Sequence, residues 1–306
     1  GSIPNINRIF SHPLLEKLTG PGGLIYTLYD LGLKVGHSVR NIQDAVNVAN
    51  DNMQTKTSLI ESRLITGDAG LFGQFQQRLE ARCVRNHVGD YLQMRIGDQD
   101  ARRVKFGNSA LLQEPNIKNG CGGLRDYQNL LWMTHFKYGA HTLEQLEAQG
   151  IVRPKNRRQL EVGYDFLLRT RSELHYQTTR LVDDIPKALQ PKIAWQLGYK
   201  DRSPARRLEA FMRDLYTHMR AIHLITRMVE RRLALRPKPA HRLPSLRSFF
   251  GGGKKTETLD GFNIVDGELV PISSRIFRDQ PRRLMRVFLH AQQRGLEFHP
   301  DLTQLL

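Results

Sequence analysis

Two stretches carry the residues whose types and spacing can do chemistry. The first is Asn119-Gly-Cys-Gly-Gly-Leu-Arg-Asp126, a glycine-rich turn that feeds a helix. Backbone N–H groups of such a turn can hold an anion, and Arg125 can pair with a carboxylate or a phosphate. The alternative is a tight turn, with Arg125 and Asp126 as polar residues of the first helical turn. No Gly-Lys-Ser/Thr follows Gly123, so this is not the P-loop pattern. The second stretch is Val35-Gly-His-Ser-Val-Arg40. As a strand over 33–39 it places His37 and Val39 on one face, and Ser38 and Arg40 on the other. Arg40 then either meets a phosphate or lies solvated on an edge strand. Glu61 and Arg63 share a face if 59–65 is a strand, as a carboxylate ligand with its partner or as a surface ion pair of little value. Asp30 is either a ligand or helix-end polarity.

Other constellations are weaker. Asp98-Gln-Asp100 is the only Asp-x-Asp in the chain, and on a strand it can hold a divalent metal. Gly97 and the polar flank instead suggest a turn. His175, Arg180, Asp183 and Asp184 mix metal-ligating types, but their spread and Pro186 favour a salt-bridged helix end. Cys83 and His87 alone do not make a zinc site, and nothing fixes a nucleophilic triad. Residues 200–238 hold eleven Lys or Arg against four Asp or Glu. That is a nucleic-acid footprint or a solvated helix face; it lacks the aromatic interleaving of single-strand platforms.

The elements that must position these residues are mostly helical. Asn41 caps a helix carrying Ile42, Ala45, Val46, Ala49 and Met53 at helical spacing. Leu71 to about His87, Leu124–Lys137 with Gly139 as its stop, Leu143–Ala148 and Gln159 to about Arg180 follow. Ser203-Pro204 opens the best-defined helix, with Leu208, Phe211, Leu215, Met219, Ile222 and Val229 in its apolar stripe. Asp266-Gly267 marks a hairpin within 262–270, and Arg282–Gln293 a last helix. Pro237, Pro239, Pro244 and Gly251-Gly252-Gly253 mark a flexible loop at about 236–260. The predicted fold is α+β and predominantly helical, with an α+β part over 1–110 and a helical domain over 111–306.

Composition bounds the function. The chain has 306 residues and a formal charge of +16, with 46 Lys plus Arg against 30 Asp plus Glu. Such a charge points to an anionic partner: nucleic acid, nucleotide phosphates or an acidic protein. Two cysteines form neither a disulfide framework nor a four-cysteine zinc site, and a reducing cytoplasm is the default. No stretch approaches about 18 consecutive apolar residues, so no membrane partner is expected. Gly1-Ser2 reads as a tag remnant, so an excised segment of a longer chain is expected.

The ordered blocks resemble the bacterial PII-protein uridylyltransferase/uridylyl-removing enzyme family. They are Asp30-Leu-Gly-Leu-Lys-Val-Gly-His-Ser-Val-Arg40, Leu59-Ile-Glu-Ser-Arg-Leu-Ile-Thr-Gly-Asp68, Glu114 to Asp126 with Leu130-Leu131-Trp132, Glu173 to Tyr199, and Phe288 to His299. The resemblance implies a partial polymerase-beta-like nucleotidyltransferase domain followed by a helical bundle. It also implies transfer of UMP from UTP to a tyrosine of a PII signalling protein in nitrogen regulation, with Mg2+ as cofactor. Asp30, His37, Arg40, Glu61 and Arg63 would line the nucleotide side; Gly122, Gly123, Arg125 and Asp126 would brace the site or bind phosphate. The family's Gly-Ser turn and Asp-x-Asp strand do not occur between Ile3 and Asp30, and its hydrolase and sensing domains are not present. The implied alternatives are therefore a portion of a nucleotidyltransferase and an inactive protein-binding or regulatory module.

Overall fold

The computed structural model describes residues 17–178, 181–234, 257–265, 267–303 and 305–306. The chain packs as two compact units that meet in sequence at His87 and Val88. The described residues are mostly helical, with one small mixed sheet.

The first unit contains α1 (Leu24–Asp30), α2 (Ile42–Asp51), α3 (Met53–Ile60) and α4 (Ala69–Leu79), which runs into a π-helical turn, Glu80–Val84. Three side-chain caps start its helices. Asn41 accepts the Asp44 N–H at 2.8 Å, Asn52 the Thr55 N–H at 2.8 Å, and Asp68 the Leu71 N–H at 2.7 Å. Each satisfies a donor that the helix itself leaves open. The core is thin: Val46, Ala49, Leu79 and Cys83, with Leu59, Ile60 and Phe75 packed against it. The Cys83 thiol donates to the Val46 carbonyl at 3.6 Å, and burial pushes its pKa up.

The strand read over 33–39 is absent from the described residues, and 59–65, which allowed a strand or a helix, forms no strand. Residues 33–41 are irregular, and Leu59 and Ile60 end α3 instead of starting a strand. Alternation alone does not hold a strand; it needs a ladder partner, and this unit offers none among the described residues. Over 53–60 the Asn52 cap and unbroken helical bonding decide the outcome.

The second unit contains α5 (Val88–Lys105), α6 (Leu124–Tyr138), α7 (Leu143–Ala148), α8 (Pro154–Gln177), α9 (Gln190–Gln196) and α10 (Pro204–Ala234). These enclose the main core, built on Leu130, Met133, Leu160, Leu167, Phe211 and Ile222 among others. The expected stops and starts are present. Gly139 is left-handed at φ 65 after α6, and Thr142 with Gln145 forms a capping box on α7. Asp98 and Asp100 sit inside α5, not in a turn; Gly97 does not break a helix whose flanks are packed.

The rest of this unit is β1 (Glu257–Leu259), β2 (Phe262–Val265), β3 (Glu268–Pro271), α11 (Ile276–Asp279), α12 (Arg283–Arg294), β4 (Glu297–Phe298) and α13 (Pro300–Thr303). The sheet order is β1-β2-β3-β4, antiparallel except for the parallel pair β3–β4. The expected hairpin is β2–β3, with Val265 opposite Glu268 and Gly267 at φ 82. Asp266, Arg180 and most of the 236–260 loop lie outside the described residues. Phe262, Leu269, Ile276, Val287 and Leu302 form a second small core. The end of α10 is tied to this sheet by Arg231, which donates to Glu268 and Glu297 at 2.8 Å each, and to α13 by Arg232 with Asp301. Part of the 200–238 charge is therefore spent inside the unit.

Candidate functional site

In the first unit, Arg40 directly precedes the Asn41 cap and lines two adjoining clefts, of about 700 and 320 Å3. The larger is bordered also by Gln43, Gln74, Gln77 and Arg78. The smaller reaches Asp68 and Phe72. Neither arginine has a carboxylate at ion-pair distance among the described residues. Two cations beside three carboxamides can receive an anionic group such as a phosphate. Asp30, His37, Glu61 and Arg63 are all exposed. His37 Nδ1 lies 3.3 Å from the Tyr29 hydroxyl, which donates to the Val35 carbonyl at 3.0 Å. Glu61 caps the C-terminal end of α3, so strand alternation does not place Arg63 beside it.

The glycine turn of the second unit is closed. The Leu124, Arg125 and Asp126 N–H groups, the first of α6, donate to the carbonyls of Ile117, Lys118 and Gly123 at 2.9–3.0 Å. The Gly122 N–H donates to Asp126 Oδ2 at 2.8 Å. Donors that a helix start usually leaves for an anion are thus taken by the chain itself. Gly122 has φ +73 and faces the α10 backbone, where a Cβ would overlap the Met219 carbonyl. Only glycine permits both that conformation and that approach.

Beneath the turn lies a buried ionic knot that sequence reasoning missed. Asp126, fully buried, pairs with Arg102 and with Arg103 Nη2 at 3.2 Å, and has His223 Nδ1 at 3.7 Å. Arg103 forks onto both oxygens of Glu230 at 2.9 Å, and Gln99 donates to the same carboxylate. Arg102 also donates to the Asn119 carbonyl of the glycine turn. Burial alone would raise the Asp126 pKa; the His223 contact and the two guanidiniums hold it well below the usual carboxylate range. The knot joins α5, α6 and α10. Its signal was present in the pattern: Arg95, Gln99 and Arg103 are spaced four apart on one helix, and Glu230 falls on the apolar stripe of another. Nearby, Arg95 Nε donates to Asn129 Oδ1 at 2.7 Å. The Arg95 and Arg125 guanidiniums stand 4.5 and 5.3 Å from the Trp132 ring centre.

The metal-like mixtures resolve as ion pairs. Asp183 accepts from Arg171 Nε at 2.7 Å, with Lys118 at 3.7 Å and His175 at 3.4 Å. Asp184 accepts from Asn116 at 2.9 Å. Asp98 pairs with Arg95, and Asp100 with Arg227 and Arg103. Among the described residues no group of three His, Cys, Asp or Glu converges to hold a metal. These donors do not fit the magnesium that the resemblance implies. No described helix is long and apolar enough to cross a membrane.

Comparison with known proteins decides the lineage. Residues 90–230 match the family described as GlnD PII-uridylyltransferase. Over 284 residues, 92% of the chain, 31% are identical to the bifunctional uridylyltransferase/uridylyl-removing enzyme of Azospirillum brasilense. The chain is homologous to the bacterial PII uridylyltransferases. The enzyme of the same description from Rhodospirillum rubrum is likewise 31% identical over 283 residues. The chain spans about 30% of the length of these relatives. No solved structure matches. The matched residues 90–230 contain the glycine turn, the ionic knot and most of α10, so the resemblance read from the motifs extends to the residues that brace the second unit.

Proposed function

We propose that this chain is part of a nucleotidyltransferase that moves UMP from UTP to a tyrosine hydroxyl of a PII-like signalling protein. In that reaction the anhydride between the α- and β-phosphates breaks, the tyrosine oxygen takes the α-phosphate, and diphosphate leaves. The identity shared with uridylyltransferase/uridylyl-removing enzymes over nearly the whole chain carries the reading.

Within it the first unit is a partial nucleotidyltransferase-like domain with the Arg40 clefts on the nucleotide side. Arg40 and Arg78 meet phosphate oxygens; Asp30, His37, Glu61 and Arg63 belong to the same side. Gly122, Gly123, Arg125 and Asp126 act as a brace, because their N–H groups and carboxylate are already engaged. Calorimetry with UTP and MgCl2 tests the assignment. Binding should be measurable, and R40A should weaken it about tenfold, as loss of a charge-assisted phosphate contact does. Absence of heat with the unaltered chain, or equal affinity in R40A, overturns the site.

A further inference from the structure

A groove runs along the outer side of the α8–α10 contact. Two adjoining cavities, of about 470 and 640 Å3, share Gln159, Thr217 and Ala221 and so form one trough. Its walls come from periodicity. Lys155, Arg158, Gln159 and Val162 lie at offsets of three, four and seven on α8; Arg213, Tyr216, Arg220 and Leu224 follow in steps of three, four and four on α10. The helices approach closely beneath it, where Gly163 packs against Ile222.

The trough has a divided chemistry. Lys155, Arg158, Arg213 and Arg220 line it against a single acid, Glu209. Lys155, Arg158 and Arg220 have no carboxylate at ion-pair distance among the described residues. The contrast with α10's other end is direct, because Arg231 and Arg232 there are spent on Glu268, Glu297 and Asp301. Between the cations lie apolar side chains that a monomer gains nothing by exposing: Leu111 at 61%, Leu224 at 55% and Val162 at 53% exposed.

We propose that this trough docks an acidic amphipathic helix of a protein partner. From Arg213 to Leu224 the wall is about 16 Å long, three helical turns. A partner helix of that length sets its apolar face on Val162 and Leu224 and its Asp and Glu residues on the flanking arginines. A nucleic acid would use the cations but not the aliphatic floor, and only Tyr216 and His218 offer rings there, the His218 imidazole lying against Phe166. The proposal goes beyond the transferase reading and does not depend on it.

The test is fluorescence anisotropy with a labelled synthetic helix of about 18 residues, Leu on one face and Glu on its flanks, beside a scrambled peptide of equal composition. The designed helix should bind at least about tenfold more tightly than the scrambled one, and R158E/R220E should remove that difference. R202E/R206E, an equal charge reversal off the groove, should leave it nearly intact, and L224S should weaken it about threefold. Circular dichroism verifies that these surface variants stay folded. The proposal is overturned if the scrambled peptide binds as well, if both double variants weaken binding equally, if L224S has no effect, or if a single-stranded oligonucleotide binds more tightly than the peptide and loses its affinity in R158E/R220E.

Discussion

Arg40 and Arg103 are the same residue type in two units built on opposite plans. Arg103 is fully wrapped, forked onto Glu230 and paired with Asp126. Arg40 is exposed at the mouth of two clefts. The second unit has a deep core and spends its buried charges internally, leaving Lys155, Arg158 and Arg220 on its surface with no ion-pair partner among the described residues. The first has a core of four buried residues and keeps its candidate residues on the surface. A guanidinium surrounded by carboxylates contributes to holding helices together, whereas one facing an empty cleft is available to a ligand. The difference between these two arginines is thus between a charge used for construction and a charge kept for recognition.

The largest expected effect tests the closed turn. Gly122→Ala adds a methyl against the Met219 carbonyl and forces an L side chain to φ +73. It should cost about 4 kcal/mol or more by urea denaturation, a backbone clash being among the few mechanisms that reach that size. Asp126→Asn comes next. It leaves two buried guanidiniums undercompensated and should cost about 3 kcal/mol. A neutral result in either would show that the second unit does not depend on its buried knot.

A pH titration sharpens the contrast further. Burial, and then the neighbouring His141 ring, lower the His135 pKa from 6.5 to about 4. Between those values the unfolded chain binds a proton that the native state refuses. The stability that this imidazole contributes is therefore complete above pH 6.5 and declines as pH falls towards 4; His218, lowered by burial, adds to the decline, and Glu230, raised by burial, opposes it. Asp126, whose native pKa is depressed, adds a further loss only below the normal carboxylate range. The urea midpoint should drop across the upper window, and His135→Gln should make that drop smaller without altering the one at lower pH.

The smallest effect belongs to the first unit. Asn52→Ala removes the α3 cap and should cost about 1 kcal/mol, read as faster amide exchange over 53–60. Exchange unchanged there would mean that packing, not capping, holds that helix.

Local signals were legible in the sequence. Asn41, Gly139 and Ser203-Pro204 act through neighbours within four residues and the 262–270 hairpin through pairs at most nine apart, and spacing alone exposes such contacts. The Arg103–Glu230 fork links positions 127 apart, and no local pattern announces that pairing. Residues 33–39 fail in the reverse direction: their alternation is real, but a strand depends on a partner that periodicity cannot supply. The magnesium implied by the resemblance likewise needs ligands converging in space, and among the described residues no group of three His, Cys, Asp or Glu does so. At the glycine turn composition correctly announced a special backbone, but not that the turn would consume its own donors.

Both tryptophans of the chain, Trp132 and Trp195, belong to the second unit. Trp132 is buried beside the guanidiniums of Arg95 and Arg125, while Trp195 is half exposed beside Arg207. Intrinsic fluorescence excited at the indole band is therefore blind to melting of the residues before Val88. A denaturation followed at once by indole emission and by far-ultraviolet ellipticity would separate the two units without any label, with the ellipticity trace alone registering loss of the Arg40 side.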